Sequence, residues 1–233
     1  MDSEIDIESA RALTGNGVLW PRVRDFLWNF APQVHPERLE AVARGIPGAV
    51  RDGESAGAAV SLLLSTPRSR AFVLERLGVE PFFHDFPRDG WSRLALLDGA
   101  TLESLAAWLG AVACAGALRR VTDGASVRAL KAGLPDVYPA VFGYTAYFPA
   151  DTFAAPGADS AKTPEDVLSA GAGLLFSLFV GCPAPLAARV ALKLPERLCG
   201  LRGGKGDGRS APGAAVKKLL KLRFPEAYRL CSS

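Results

Sequence analysis

The sequence predicts an all-α fold: a single compact multi-helix domain around a buried central helix, with a helical C-terminal subregion. Three observations predict it. Apolar residues recur at helical spacing along most of the chain, with hardly any period-two alternation. Pro and Gly fall where they would start and stop helices rather than inside them. Residues 101–118, TLESLAAWLGAVACAGAL, are apolar on nearly every face, the pattern of a helix wrapped by others.

Each element follows from local chemistry. Trp20-Pro21 opens the first helix, where Val23, Phe26, Leu27 and Phe30 form one apolar stripe that Pro32 closes. Pro36 suits a first helical position, and its helix carries Leu39, Val42 and Ala43 inward to a stop near Gly45. A third helix spans 54–65, with Ala56, Ala59, Val60, Leu63 and Leu64 as its buried face. Thr66-Pro67 reads as an N-cap and N1 pair, and Gly78 terminates the helix it begins. The segment VEPFFHDFPRDGW, residues 79–91, either plugs an edge of the core or presents aromatic anchors, Phe82 and Phe83 among them, to a partner.

In the second half, Leu102, Leu105, Leu109 and Val112 mark the central helix, and Arg119 and Arg120 lie in its last turn, where positive charge complements the helix dipole. Asp123 caps a short helix that ends at Gly133, and Asp136 caps the next, whose face is Val137, Val141, Tyr144 and Phe148. Residues 149–163 form a loop of small residues. Thr163-Pro164-Glu165-Asp166 combines a cap, a proline at N1 and two acids in the first turn. A shorter helix follows around Leu186, Val190 and Leu194. After the Gly-rich stretch 200–213, a last helix turns Val216, Leu219 and Leu220 inward and Lys217, Lys218 and Lys221 outward. The expected organisation is an acidic N-terminus over 1–18, a helical core over 19–150 and a C-terminal subregion over 151–233.

Composition narrows the function. With 233 residues, 49% hydrophobic and 22% charged, the chain can bury a substantial core, which excludes disorder throughout. The net charge of +3 hides an asymmetry: from Arg189 onward there are eleven Lys/Arg against three Asp/Glu, leaving the preceding residues at −5. Such a basic tail either contacts something acidic or is a solvated face. Four scattered cysteines without a C-x-x-C spacing indicate neither a disulfide framework nor a zinc site, and two histidines cannot build a multi-histidine metal centre. The opening MDSEIDIES lacks the apolar core of a secretory signal, so residence in the cytoplasm is expected. Residues 167–188 carry no charge, but their apolar run is short for a span of about 20 residues and meets Pro183 and Pro185, so a buried helix is expected rather than a membrane insertion.

The chemical motifs fail on inspection. Gly53-Glu54-Ser55-Ala56-Gly57 fits the G-x-S-x-G elbow of serine hydrolases. That elbow needs a buried strand before the serine, yet AVARGIPGAVRDGE precedes it. It also needs an acid and then a histidine downstream, and His84 leaves little chain for the acid. GLRGGKGDGR resembles a phosphate loop, but a Walker A pattern would need Gly and Ser/Thr where Cys199 and Gly206 stand. Asp85 and Asp89 are a pair of the kind surface turns hold routinely. LRRVTDGASVRALKAGL has the outline of a helix-turn-helix with Arg119, Arg120, Arg128 and Lys131 exposed, which keeps a basic nucleic-acid-binding protein as the alternative. Against it, the helix before the turn is too apolar to lie across a DNA backbone.

Three segments together resemble a known family. WNFAPQVHPERL (28–39), RLALLDGATLESLAAWLG (93–110) and LRRVTDGASVRALKAGLPDVYPAVFGY (118–144) are similar in order and spacing to the SctK proteins of type III secretion systems, also called YscK, PscK, MxiK or OrgA. The likeness runs from residue 19 to about 148, with a fainter echo in ALKLPERL (191–198). It implies an all-helical, non-enzymatic cytoplasmic adaptor of the sorting platform, with no catalytic residue, metal or cofactor. Such an adaptor joins the cytoplasmic domain of the inner-membrane ring protein SctD to the pod protein SctQ, which connects onward to SctL. On this reading the candidate contacts are Arg119, Arg120, Arg128 and Lys131 on one side and Phe82 and Phe83 on the other; all six could equally serve as solvated charge and core plug. The Gly-rich stretch 200–213 is where the chain departs most from the family.

Overall fold

A computed structural model describes residues 19–47, 50, 56–80, 90–148, 152–153, 155, 157–199 and 213–232. The helix start expected at 54, Ser55, residues 81–89 with Phe82 and Phe83, the N-terminus 1–18 and residues 200–212 lie outside them. Among the described residues there are thirteen α-helices, short 3-10 turns and no strand, so the all-α class holds. The chain divides into two compact units that share the sequence unevenly: residues up to Gly99 with Cys182–Glu196, and Ala100–Gly181 with Arg197–Ser232.

In the first unit, the Trp20–Trp28 helix buries Val23, Phe26 and Leu27, as its stripe requires. Phe30 is buried just beyond it and meets Phe26 edge to face, with ring centroids 5.6 Å apart. The Pro36–Arg44 helix buries Leu39 and Ala43, and it packs on both the Ala56–Leu63 and Pro67–Arg76 helices. Of the face expected for Ala56–Leu63, Ala56 and Ala59 are buried, while Val60, Leu63 and Leu64 are half-buried. Thr66 caps the Pro67–Arg76 helix in a reciprocal box with Ser69, and Gly78 ends the element at φ +69°, the left-handed backbone that a glycine adopts without strain. The Ala184–Leu192 helix lies against the 3-10 turn Ser92–Leu96.

In the second unit the Gly99–Ala113 helix is enclosed as expected: Leu102 and every residue from Leu105 to Val112 are buried. The rod is not continuous to Leu118. Cys114 (φ −85°, ψ 0°) breaks it, and a separate turn, Ala115–Leu118, follows. The break falls among alanines flanked by Gly110 and Gly116, where few large side chains can pack at i,i+4 to hold one helical register.

Asp123 caps Gly124–Gly133 by accepting from the Ser126 amide at 2.8 Å. The expected Asp136 cap is corrected. The Tyr138–Tyr144 helix has Val137 at its N-cap with no side-chain bond, because Leu134 accepts from both Val137 and Tyr138 and the turn it closes leaves Asp136 one residue before the capping position. Thr163 and Asp166 form the capping box that opens Pro164–Ser177. The Gly213–Arg223 helix buries Val216, Leu219 and Leu220 and packs on a further helix, Pro225–Ser232, that the periodicity did not announce.

Candidate interaction surfaces

Arg119, Arg120, Arg128 and Lys131 are all exposed. The first two already hold internal acceptors. Arg119 Nη2 donates to Thr145 Oγ1, and Arg120 Nη2 donates to the Asp159 carbonyl at 2.8 Å. These bonds tie the end of the Ala115–Leu118 turn to the 3-10 turns Thr145–Tyr147 and Ala158–Ser160. Arg128 and Lys131 lie three residues apart on Gly124–Gly133 and therefore share one side of that helix. Phe82 and Phe83 lie outside the described residues.

The basic tail is not one surface. Arg189 is fully buried and Lys193 is 1% exposed. One helical turn apart, they project from the same side of Ala184–Leu192 and its C-cap. Arg189 Nη1 donates to the Phe26 carbonyl and, at 3.2 Å, to that of Leu27, while Nη2 donates to the Glu80 carbonyl at 2.9 Å. The guanidinium thus serves the last turn of Trp20–Trp28, which has no basic residue of its own there. Lys193 Nζ donates to the Ala95 and Leu97 carbonyls at 2.7 and 2.8 Å, closing the end of Ser92–Leu96 in the same way.

The rings of Phe26 and Phe30 cover both cations, with Arg189 Cζ 5.5 and 5.0 Å and Lys193 Nζ 5.1 and 5.7 Å from their centroids. Burial pushes the Lys193 ammonium down to about 7; Asp98 works against that and Arg189 adds to it. Burial likewise lowers Arg189 to about 10, opposed by Glu80. Sequence reasoning counted both residues as tail charge. The one available signal was their i,i+4 spacing inside an otherwise apolar helix.

Further along, Lys218 and Arg223 turn onto aromatic rings of their own unit. Arg223 Cζ stands 4.3 Å above the Trp108 ring, and Nη1 reaches the Tyr144 hydroxyl at 3.3 Å. Trp108 and Tyr144 meet edge to face at 5.1 Å. Lys218 Nζ donates to the Tyr147 carbonyl at 3.0 Å and lies 5.5 Å from the ring of that residue. Lys217 and Lys221 remain exposed on this helix.

Cys114 is fully buried, and burial, with Asp166 and Asp159 adding, pushes its thiol up to about 12. A thiol held neutral in this way is a packing group. Among the described residues no cluster of His, Cys, Asp and Glu could hold a metal ion, and no helix is long and apolar enough to cross a membrane.

What the described residues present is a helical protein with exposed cations and aromatic side chains on its surface. Residues 60–137 match the family model of YOP proteins translocation protein K (YscK), the type III secretion SctK family that the three sequence segments resemble. The matched stretch takes in Arg119, Arg120, Arg128 and Lys131. No curated protein matches the chain, and no solved structure does.

Proposed function

We propose that this protein is a non-enzymatic cytoplasmic adaptor of a type III secretion sorting platform. It joins an SctD-like inner-membrane ring protein to an SctQ-like pod protein, and through the pod it reaches SctL. The match of residues 60–137 to the YscK family carries this reading. The all-helical architecture supports it, as does the density of internal packing around the Gly99–Ala113 helix. Exposed Arg128 and Lys131 are its candidate steering charges, since rim charges accelerate encounter more than they add affinity.

Co-purification of the full chain with the SctQ homologue and with the cytoplasmic domain of the SctD homologue tests the reading. Both complexes are expected to survive moderate salt. A chain that binds neither, or that binds nucleic acid with affinity falling steeply as salt rises, would contradict it.

A further inference from the structure

In the first unit, an open groove of about 330 Å³ runs beside the C-terminal ends of the Pro36–Arg44 and Pro67–Arg76 helices. Its apolar lining comes from Ala41, Val42 and Leu77, with Gly45 adding no side chain to fill it. Two guanidiniums, Arg38 and Arg76, border it against a single carboxylate, Glu196. Arg38 Nε is anchored on the Leu194 carbonyl at 3.2 Å, which fixes the stem and leaves its other N–H donors for further acceptors. Arg76 lies over the ring of Phe72, 5.5 Å from its centroid, and Phe72 is one of the few large apolar side chains that stay exposed, at 38%. A concave apolar floor, an exposed aromatic beside an arginine and a net positive border are the features of a site that takes an amphipathic segment of opposite charge.

We propose that this groove docks an acidic, partly apolar peptide segment of a partner protein, its apolar side chain on Ala41, Val42 and Leu77 and its carboxylates on Arg38 and Arg76. Charge complementarity selects the occupant: two guanidiniums border the groove against one carboxylate, so a basic segment would be repelled and a neutral one would leave the arginines unmatched. The inference deepens the adaptor reading and rests on it for the existence of a protein partner, although the groove itself is tested separately.

Gly45 supplies the test. Its backbone has φ −76°, ordinary for any residue, and a Cβ there would meet only the Ala41 and Val42 carbonyl oxygens at 3.5 Å. Gly45→Phe therefore fills the groove without straining the turn, and Arg76→Glu reverses one border charge at an exposed position. The probe is a fluorescent helical peptide of about 14 residues with Leu and Glu on one face, compared by anisotropy with its Leu/Lys counterpart on the full chain. Saturable binding of the acidic peptide is expected, at least about tenfold tighter than the basic one, lost in Gly45→Phe and weakened about tenfold in Arg76→Glu. Unchanged melting temperatures show that the variants fold; if Gly45→Phe melts lower, Arg76→Glu carries the test. Equal affinity for the two peptides, undiminished binding by the variants, or no saturation below about 1 mM overturns the proposal. Wild-type chain that co-purifies with the pod protein while the peptide fails refutes the groove and leaves the adaptor standing.

Discussion

Gly110 and Gly171 meet backbone to backbone where two helices of the second unit cross. A Cβ placed on Gly110 would stand 1.9 Å from the Val167 carbonyl oxygen and 2.9 Å from the Gly171 nitrogen, and one on Gly171 would stand 1.8 Å from the Ala106 oxygen. No side chain rotation relieves a clash with backbone, so any larger residue must push the Gly99–Ala113 and Pro164–Ser177 helices apart.

Gly110→Ala and Gly171→Ala are each expected to cost about 3 kcal/mol or more, at the upper end for overpacking. Gly173→Ala is the control. Gly173 lies exposed on the same helix with nothing within 4 Å of its added carbon, so the exchange should stabilise by about 0.5–1 kcal/mol through helix propensity. Urea unfolding of the three variants checks the contrast.

Lys193 sets a pH dependence whose sign follows from its lowered value. With the folded group near 7 and the unfolded one near 10.5, both states hold the proton below about pH 7, and the penalty for burying the charge is then fully present. Between those values the unfolded chain binds the extra proton, so stability rises with pH. Denaturation at pH 7 and pH 9 should show a gain of about 2 kcal/mol at the higher pH. Lys193→Met should flatten that slope, and a slope that persists in the variant would show that another group produces it.

Arg189→Ala should cost about 3 kcal/mol or more, because it strands the Phe26, Leu27 and Glu80 carbonyls that the guanidinium serves. Arg189→Lys should recover little, since an ammonium lacks the planar fork that reaches separate acceptors. Thermal melts of the two variants check this.

How much of this was legible in the sequence depended on whether the determinant is local. Caps are local, and Thr66, Asp123 and Thr163 stand where their hydroxyls and carboxylate predicted. The Val23, Phe26, Leu27 stripe is also local, since it is a property of one helix. The helix Pro225–Ser232 went unread because eight residues give barely two turns of periodicity, and Pro225 could as well have ended an element as begun one.

Burial of long charged side chains is not local at all. Arg189 finds its acceptors more than 100 residues away, and Lys193 finds its own nearly as far. The apolar run around them is the only local feature that sets them apart from the tail charges Lys217 and Lys221. The same holds for the candidate site. The sequence placed Arg128 and Lys131 on an exposed helix, yet it could not show that Arg119 and Arg120 each hold an acceptor on a neighbouring turn.

Charge reversal at Arg128 and Lys131 tests the steering role proposed for them. The double variant to Glu should change stability by less than about 0.5 kcal/mol, as exposed substitutions do. Its association rate with the pod protein should fall about tenfold at low salt and approach that of the unaltered chain at high salt. Stopped-flow measurement across salt concentrations reads both arms.

The central claim is bridging, and a reconstitution measures it most directly. With the SctD-like cytoplasmic domain immobilised, the SctQ-like pod protein should be retained only when this chain is added, and all three should elute together on size exclusion. Pod protein retained equally without the chain, or a chain that binds one partner only by displacing the other, would contradict the account.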